Sequence, residues 1–225
     1  MNSIVNPCKE VNQEIMDKYL ALKDVLSLSC LLTDAQSRAC AMRGTMKQRT
    51  VNKRVIGPAL TVKLTPGDIV DCLGIFEIAR PGDVIVIDAF GESETSIWGG
   101  LMSGLGKAAG VAGAIIDGSC RDTDESRLLD FPVYSTFVSP RAAHTATSGR
   151  KEPIAINVPI VCGGIIVNPG DLVVADEIGA VVAPYDELEE IYIRLKKQAD
   201  GEQAAREDIL RGATVEDLLN KYGRI

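Results

Sequence analysis

Two adjacent residues of opposite charge, Arg121 and Asp122, follow closely on an apolar run and could do chemistry together. The run, residues 111–116, has the composition of a buried strand, and Asp117 and Gly118 come directly after it. An apolar strand is expected to end at Asp-Gly, which leaves Arg121 and Asp122 in a loop, where rigid scaffolds display binding groups. An arginine can grip a carboxylate through two parallel hydrogen bonds, and an aspartate can hold a hard cation, so the pair suits an anionic substrate on a metal ion.

A glycine-rich segment, residues 99–110, precedes the apolar run and predicts a helix that begins next to a pair of glycines. Amide groups at the N-terminus of a helix attract anions, so the first amides of this helix are candidates to hold a carboxylate or a phosphate. These amides belong to Gly99, Gly100, Leu101 and Met102. If the start of the helix and the end of the following strand lie side by side, the amides and the Arg-Asp pair border one cleft.

Each of these features also has a simpler interpretation. Adjacent opposite charges on a solvated loop contribute almost nothing to stability, and the two glycines suit an ordinary turn. Asp124 and Glu125 could add acidity for a cation, or they could be first-turn acids of a helix over 123–129, where the helix dipole favours them. Residues 104–109 match G-x-G-x-x-A, but no strand leads directly into them, so we interpret them as a small-residue helix packed against a sheet.

Two nucleophilic side chains offer alternative chemistry. Cys120 could act as a thiolate, but its base would have to be His144, the only histidine, and no spacing supports that pair. We therefore interpret Cys120 as structural. Lys63, at the end of an apolar strand, could form a Schiff base with a ketone, although strand alternation equally explains it as an outward-facing residue.

Composition excludes several classes of protein. The formal net charge of -7 and the 4% aromatic content argue against nucleic-acid binding, which needs a basic face. No apolar run approaches the roughly 18 residues of a membrane span, and the N-terminus does not resemble a signal peptide, so a cytoplasmic protein is expected. The six cysteines contain no C-x-x-C pair, which favours reduced thiols over a disulfide framework.

The elements that must position the candidate residues follow from periodicity and turn signals. Strands are predicted at 54–64, 84–88, 133–137, 165–167, 172–175 and 180–183. Helices are predicted at 13–43, with Thr33-Asp34 as a helix start, at 69–79, at 186–211 with a break at Gly201, and after a cap at Thr214. The Gly57-Pro58 interruption suits an edge strand or a bulge. Pro-Gly-Asp begins at 66, 81 and 169, and each copy predicts a type II turn whose aspartate bonds to following amides.

At these residues the chain resembles the RraA-like family, which includes 4-hydroxy-4-methyl-2-oxoglutarate aldolases and protein regulators of ribonuclease E activity. The family signature is a glycine, twenty residues, Arg-Asp, two residues and an acidic side chain. Gly100, Arg121, Asp122 and Glu125 satisfy it. Further segments that carry the resemblance lie at 57–62, 81–84, 98–101, 117–118 and 169–173.

The resemblance implies an α/β fold of the swivelling β/β/α type, with a mixed sheet core, helices packed around it and a C-terminal helical extension. One domain over 1–225 is expected, with its core at about 33–184 and the extension at 185–225. Assembly as a homotrimer or hexamer is also implied.

The resemblance further implies a metal-dependent aldolase that uses Mg²⁺ or Mn²⁺ on a small 2-oxo acid and releases pyruvate, with oxaloacetate decarboxylation as a side activity. The amides at 99–102 would hold the pyruvyl carboxylate, Arg121 would bind the keto oxygen, and Asp122 would anchor the metal largely through waters. Ser96-Ile97 and the segment 176–179 depart from the family pattern, so no general base is assigned and the substrate stays open. The alternative is a non-catalytic regulator of a ribonuclease E-type enzyme.

Overall fold

The computed structural model describes residues 3–64, 70–143 and 154–223. The strands are β1 (Ile4–Val5), β2 (Lys47–Gln48), β3 (Val55–Lys63), β4 (Val84–Trp98), β5 (Gly113–Cys120), β6 (Val133–Val138), β7 (Ala155–Ile156), β8 (Ile160–Cys162), β9 (Ile165–Val167), β10 (Leu172–Ala175) and β11 (Ala180–Ala183). The α-helices are α1 (Gln13–Leu20), α2 (Leu28–Ala35), α3 (Gly100–Ala108), α4 (Thr123–Leu128), α5 (Leu188–Leu210) and α6 (Val215–Tyr222).

One mixed sheet organises the structure, and its centre is the parallel array β3-β4-β5-β6. The centre is parallel because α3 carries the chain from β4 back to β5, and α4 carries it from β5 back to β6. Strands β7 and β10 join β3 in the antiparallel sense, β11 pairs with β10, and β8 and β9 form a separate hairpin. This is the α/β class predicted from the sequence, with the C-terminal helices α5 and α6 in place.

Both faces of the parallel centre are buried, which explains the apolar runs at 84–87 in β4 and 114–116 in β5. One face packs on Trp98, Met102 and Phe131, on the side of α3. The opposite face packs on Ile160 and Cys162 of the β8–β9 hairpin. A third cluster joins α1, α2 and α5 to β10 and β11. Within the described ranges, no helix combines the length and apolar character needed to cross a membrane.

The predicted strand at 54–64 is confirmed as β3, but it is not an edge strand. Its first half pairs with β10 and its second half with β4, and Gly57-Pro58 lies next to the point where the partner changes. Gly57 is required for a different reason. A Cβ atom there would come within 2.1 Å of the backbone carbonyl oxygen of Gly82.

The prediction of a helical region over 13–43 is confirmed only in part. The region contains two short helices, α1 and α2, and Thr33 and Asp34 lie in the last turn of α2 instead of starting a helix. The backbone then adopts left-handed values at Ser37, Arg38 and Cys40, which cannot continue a right-handed helix.

Two smaller predictions also change, and a third is confirmed. Gly201 does not break α5, because the cost of roughly 1 kcal/mol for a helical glycine is outweighed by a helix face that buries Leu188, Ile191 and Leu195. The segment predicted as a helix over 69–79 is a 3₁₀ helix at Val70–Glu77. The cap at Thr214 is confirmed.

The Pro-Gly-Asp turns at 81 and 169 have the left-handed glycine of a type II turn, with φ of +88° and +84° at Gly82 and Gly170. Each aspartate accepts from the amide three residues earlier, Asp83 from Arg80 and Asp171 from Asn168, both at 2.8 Å. Asp171 also accepts from the following amide of Tyr185, at 3.0 Å. The Pro-Gly-Asp at 66 and residue 69 lie outside the described residues.

Candidate functional site

Two strand-to-helix loops lie side by side at the carboxyl edge of the sheet. Strand β4 ends at Trp98 and β5 ends at Cys120, and these two residues are partners in the parallel ladder. The loop after β4 contains Gly99 and starts α3, and the loop after β5 contains Arg121 and Asp122 and starts α4. In open α/β sheets, this edge is where ligands bind. The spacing from Gly100 to Arg121 is therefore the length of one helix, one strand and their connection.

The prediction that the apolar strand ends before Asp117 is wrong, since β5 continues to Cys120. The strand can pass through Asp117 because its buried carboxylate is satisfied from both sides. One oxygen accepts from the Thr136 hydroxyl at 3.0 Å, and the other accepts from the Gly163 amide at 2.9 Å. The strand thus extends beyond its predicted end at residue 116, and the Arg-Asp pair follows it directly.

Asp122 connects the two loops. It is the N-cap residue of α4, in the left-handed conformation that aspartate tolerates, with φ of +49°, but its side chain does not cap its own helix. Its Oδ2 atom instead accepts from the Gly100 amide at 3.2 Å and lies 3.4 Å from Nε of Arg121. Gly99, the N-cap of α3, has no side chain that could cap this helix. Asp122 therefore supplies from the neighbouring loop the acceptor that α3 lacks.

A second carboxylate lies against the same corner. A Cβ atom added to Gly99 would lie 2.8 Å from Oδ2 of Asp122, and one added to Gly100 would lie 2.0 Å from Oε2 of Glu125. The two glycines thus make room for two carboxylates at the start of α3. Glu125 belongs to the sequence signature, but sequence reasoning did not reveal that it packs on Gly100.

The remaining residues of the predicted amide site differ in their surroundings. The Leu101 side chain is 81% exposed, whereas Met102 is buried in the core. Both lie in the first turn of α3, where amide groups have no partner inside the helix. Two buried serines, Ser103 and Ser126, bridge α3 and α4 behind the site and were missed by sequence reasoning. Their signal was their position, four residues after Gly99 and four after Asp122.

The alternative nucleophiles are placed differently. Cys120 is buried, its sulfur accepts from the Ser135 hydroxyl at 3.2 Å, and burial raises the pKa of its thiol, which opposes formation of a thiolate. His144 lies outside the described residues. Lys63 ends β3 with its amino group 5.6 Å from the centre of the Phe90 ring, and β4 separates its strand from β5.

The donor set of the site suits a hydrated metal ion better than an all-protein cage. Across residues 3–64, 70–143 and 154–223, no group of three or more His, Cys, Asp or Glu side chains converges as metal ligands. The corner at Gly99 and Gly100 brings together two carboxylates, those of Asp122 and Glu125. Mg²⁺ commonly binds through one or two carboxylates and keeps several waters, so these residues fit such an ion.

The site is an open corner of the surface and not a deep cavity. The side chains of Arg121 and Asp122 are 39% and 40% exposed. Two clefts of about 300 and 350 Å³ lie elsewhere, one between α2 and β11 and the other between α1 and β3. Neither cleft is lined by a residue of the two loops.

Known proteins support one family. A protein of Halalkalibacterium halodurans, provisionally named a 4-hydroxy-4-methyl-2-oxoglutarate aldolase, is 39% identical over 176 residues, which cover 78% of this chain and 81% of the relative. An uncharacterized protein from Pseudomonas syringae pv. tomato has a similar structure, with a TM-score of 0.78, 27% identity and coverage of 93% of this chain and 98% of that one.

Streptomyces coelicolor RraAS2, described as an unusual member of the RNase ES inhibitor RraA protein family, is also similar in structure. Its TM-score is 0.74 at 27% identity, with coverage of 89% of this chain and 99% of that one. The profile of the RraA-like family, described as Aldolase/RraA, matches residues 14–182, a range that contains both loops of the site. The chain therefore belongs to the RraA-like family.

Proposed function

We propose that this protein is a divalent-metal-dependent aldolase that cleaves a small 4-hydroxy-2-oxo acid, such as 4-hydroxy-4-methyl-2-oxoglutarate, and releases pyruvate. The observation that carries the proposal is the position of Arg121 and Asp122 beside the first turn of α3. The pair follows β5 and the helix follows β4, and these two strands are parallel neighbours. The name of the 39% identical H. halodurans relative supports the same reaction. Trimeric or hexameric assembly stays a prediction.

Each protein group has a distinct task in the proposed reaction. The Gly100 amide donates to Asp122, so within the segment 99–102 the next amides, those of Leu101 and Met102, are our main candidates to hold the substrate carboxylate. The Arg121 guanidinium would donate to the keto oxygen. When the C3–C4 bond breaks, its electron pair moves towards that oxygen and gives the enolate of pyruvate, which then takes a proton at C3. A cationic donor already in place stabilises the negative charge as it develops.

Asp122, with Glu125 beside it, is the proposed anchor for Mg²⁺ or Mn²⁺, largely through waters. When bound, the metal supplies positive charge that further stabilises the enolate oxygen. Oxaloacetate decarboxylation passes through the same enolate, so we propose it as a side activity. The base that takes the proton from the substrate hydroxyl stays unassigned.

The second candidate function is regulation of a ribonuclease E-type enzyme through protein contacts. The specific observation in its favour is the structural similarity to S. coelicolor RraAS2, which belongs to a family named for inhibition of RNase ES. This function requires no turnover, so the two candidates differ in a simple assay.

The test is pyruvate release from 4-hydroxy-4-methyl-2-oxoglutarate and from oxaloacetate, with Mg²⁺ and with a chelator. Arg121→Ala and Asp122→Ala should each lower kcat/KM at least ~100-fold, the usual cost of removing a preorganised charged group. Arg127→Ala and Asp124→Ala are the matched controls, because they change exposed residues of α4, the short helix that follows the pair. They should lower kcat/KM much less. Full turnover in chelator would remove the metal mechanism, and borohydride trapping would point to Lys63. No turnover on a broad panel of oxo acids would favour the regulator.

A further inference from the structure

A chain of buried hydrogen bonds runs behind the candidate site. The indole N–H of Trp98 donates to Oγ of Ser103 at 2.8 Å, and Oγ of Ser103 lies 2.8 Å from Oγ of Ser126. All three side chains are buried. Trp98 ends β4, Ser103 lies in α3 and Ser126 lies in α4, so the chain joins both loops of the site from the core side.

Each serine hydroxyl lies close to the backbone carbonyl group of the N-cap residue of its own helix. Oγ of Ser103 is 3.3 Å from the carbonyl oxygen of Gly99, and Oγ of Ser126 is 3.2 Å from the carbonyl oxygen of Asp122. The amides of the two serines donate to the same two carbonyl groups, at 3.1 and 3.0 Å. The hydroxyl groups therefore contact Gly99 and Asp122, the two residues whose relative position sets the geometry of the site.

Counting protons shows why the two serines act as a unit. The Trp98 N–H can only donate, so Ser103 must accept from it. One hydroxyl proton forms the bond between the serines, and the other goes to the carbonyl group of either Gly99 or Asp122. Both arrangements satisfy every buried donor and keep the bond between α3 and α4. A fully satisfied buried network of this kind fixes the relative position of the elements that it joins.

We infer that Trp98, Ser103 and Ser126 form a positioning device that holds the start of α4 against the start of α3. The device fixes Asp122 on the Gly100 amide and so sets the distance between the α3 amides and the Arg121-Asp122 pair. The three residues do not touch the substrate and act only through this geometry. The inference rests on the proposed function for its catalytic consequence, but its structural part can be measured without turnover.

The test compares Ser103→Ala, Ser126→Ala and the double variant with Ser29→Ala as the matched control. Ser29 is also buried and its hydroxyl also donates a hydrogen bond, to Asp176 at 2.7 Å, but it lies in α2, a helix that packs in a different core cluster. Hydrogen exchange of the Gly100 amide should become about five- to tenfold faster in the three site variants, the effect of losing one hydrogen bond. In Ser29→Ala the exchange rate of the Gly100 amide, measured relative to the amides of β4 and β5, should equal that of the wild type.

Further readouts separate positioning from general stability. The double variant should match the single variants within roughly twofold, because all three break the same connection. Trp98 is the only tryptophan, so its fluorescence emission should shift in Ser126→Ala although Ser126 does not touch the indole. In the active enzyme, kcat should fall about tenfold in the site variants with little change in KM, and the affinity for Mn²⁺, measured by electron paramagnetic resonance, should weaken by a similar factor.

Unchanged Gly100 exchange in the serine variants, or an equal increase in Ser29→Ala, would overturn the positioning role. Faster Gly100 exchange in a protein that neither binds Mn²⁺ nor releases pyruvate would uphold the positioning role and reject the proposed aldolase. The two ideas therefore fail separately.

Discussion

At positions 99 and 100, the neighbouring side chains leave room only for glycine. Neither glycine has a positive φ, so the backbone would accept any residue type. The limit is space, because the Asp122 carboxylate lies against Gly99 and the Glu125 carboxylate lies against Gly100. The diglycine and the two acids are thus one structural feature, shared between two loops. A change on either side should disturb the other.

Gly100→Ala tests this dependence. The added Cβ atom would lie 2.0 Å from Oε2 of Glu125, so the carboxylate must move away from the start of α3. We expect kcat/KM for pyruvate release to fall about tenfold or more, since small displacements in a preorganised site are costly. The melting temperature should change little, because Glu125 is exposed and can rotate.

Gly104→Ala is the matched control within the same helix. Its Cβ atom would meet only a Leu129 methyl group, at 3.9 Å. A helical alanine in open space should raise stability by roughly 0.4–1 kcal/mol and leave turnover unchanged. If Gly100→Ala kept wild-type turnover, contact with Glu125 would not matter for the site.

At the scale of single elements, β5 shows how a polar residue can lie inside a buried strand. Asp117 is held by the Thr136 hydroxyl on β6 and by the Gly163 amide after β8. Asp117→Ala would leave the buried Gly163 amide and the half-buried Thr136 hydroxyl without their acceptor. We expect a loss of roughly 2–4 kcal/mol in the free energy of unfolding, measured in urea. Glu177→Ala removes an exposed acid and should cost at most about 0.5 kcal/mol. Equal losses in the two variants would contradict this account of β5.

Helix α5 offers a second test at this scale. Gly201 lies inside the helix and Gly212 lies after its end, and no atom stands within 4 Å of a Cβ added to either. They differ in backbone conformation, since only Gly212 is left-handed, with φ of +90°. Gly201→Ala should therefore raise the free energy of unfolding by roughly 0.4–1 kcal/mol, and Gly212→Ala should lower it. A loss of stability in Gly201→Ala would mean that the glycine serves another purpose.

The elements also mark how far the sequence could go. Strands β3, β6, β10 and β11 were predictable because their apolar runs are short and end in turn residues. The relation of Gly100 to Arg121 was predictable because it is a spacing along one helix and one strand. The course of β5 through Asp117 was not, since its partner Gly163 is remote in sequence. The positions of Ser103 and Ser126 relative to Gly99 and Asp122 were visible in the sequence, but their contact was not, because they are on different helices.

At the scale of the whole molecule, several acids are buried although the chain carries a net charge of -7. One group forms a row across the sheet, in which Lys63, Asp88 and Asp117 are successive partners on β3, β4 and β5. Burial raises the pKa of Asp88, and the charge of Asp117 raises it further. The Phe90 and Val161 amides and the Lys63 ammonium group act in the opposite direction. The buried Cys162 thiol faces the two acids from β8 and carries no charge, since burial raises its pKa as well.

This row predicts a component of stability that depends on pH. Because the pKa of Asp88 is higher in the folded than in the unfolded protein, the folded state holds its proton more tightly. The stabilising contribution is full below the ordinary pKa of 3.8 and is lost as pH rises through the raised value. Asp88→Asn keeps an oxygen that can accept from the Phe90 amide but cannot ionise. The free energy of unfolding of the wild type, minus that of Asp88→Asn, should therefore fall as pH rises from about 3.8 towards neutrality.

Urea unfolding at a series of pH values measures this difference, and Asp124→Asn, at an exposed position in α4, is the control. Subtraction of the variant from the wild type removes the contribution of the acids that do not interact with Asp88. If the control difference showed the same fall, the pH dependence would not be specific to Asp88. If the Asp88 difference stayed level or rose with pH, the Lys63 ammonium group and the two amides would outweigh the burial of Asp88 and the repulsion from Asp117. In that case the row would stabilise the sheet as a salt bridge at neutral pH.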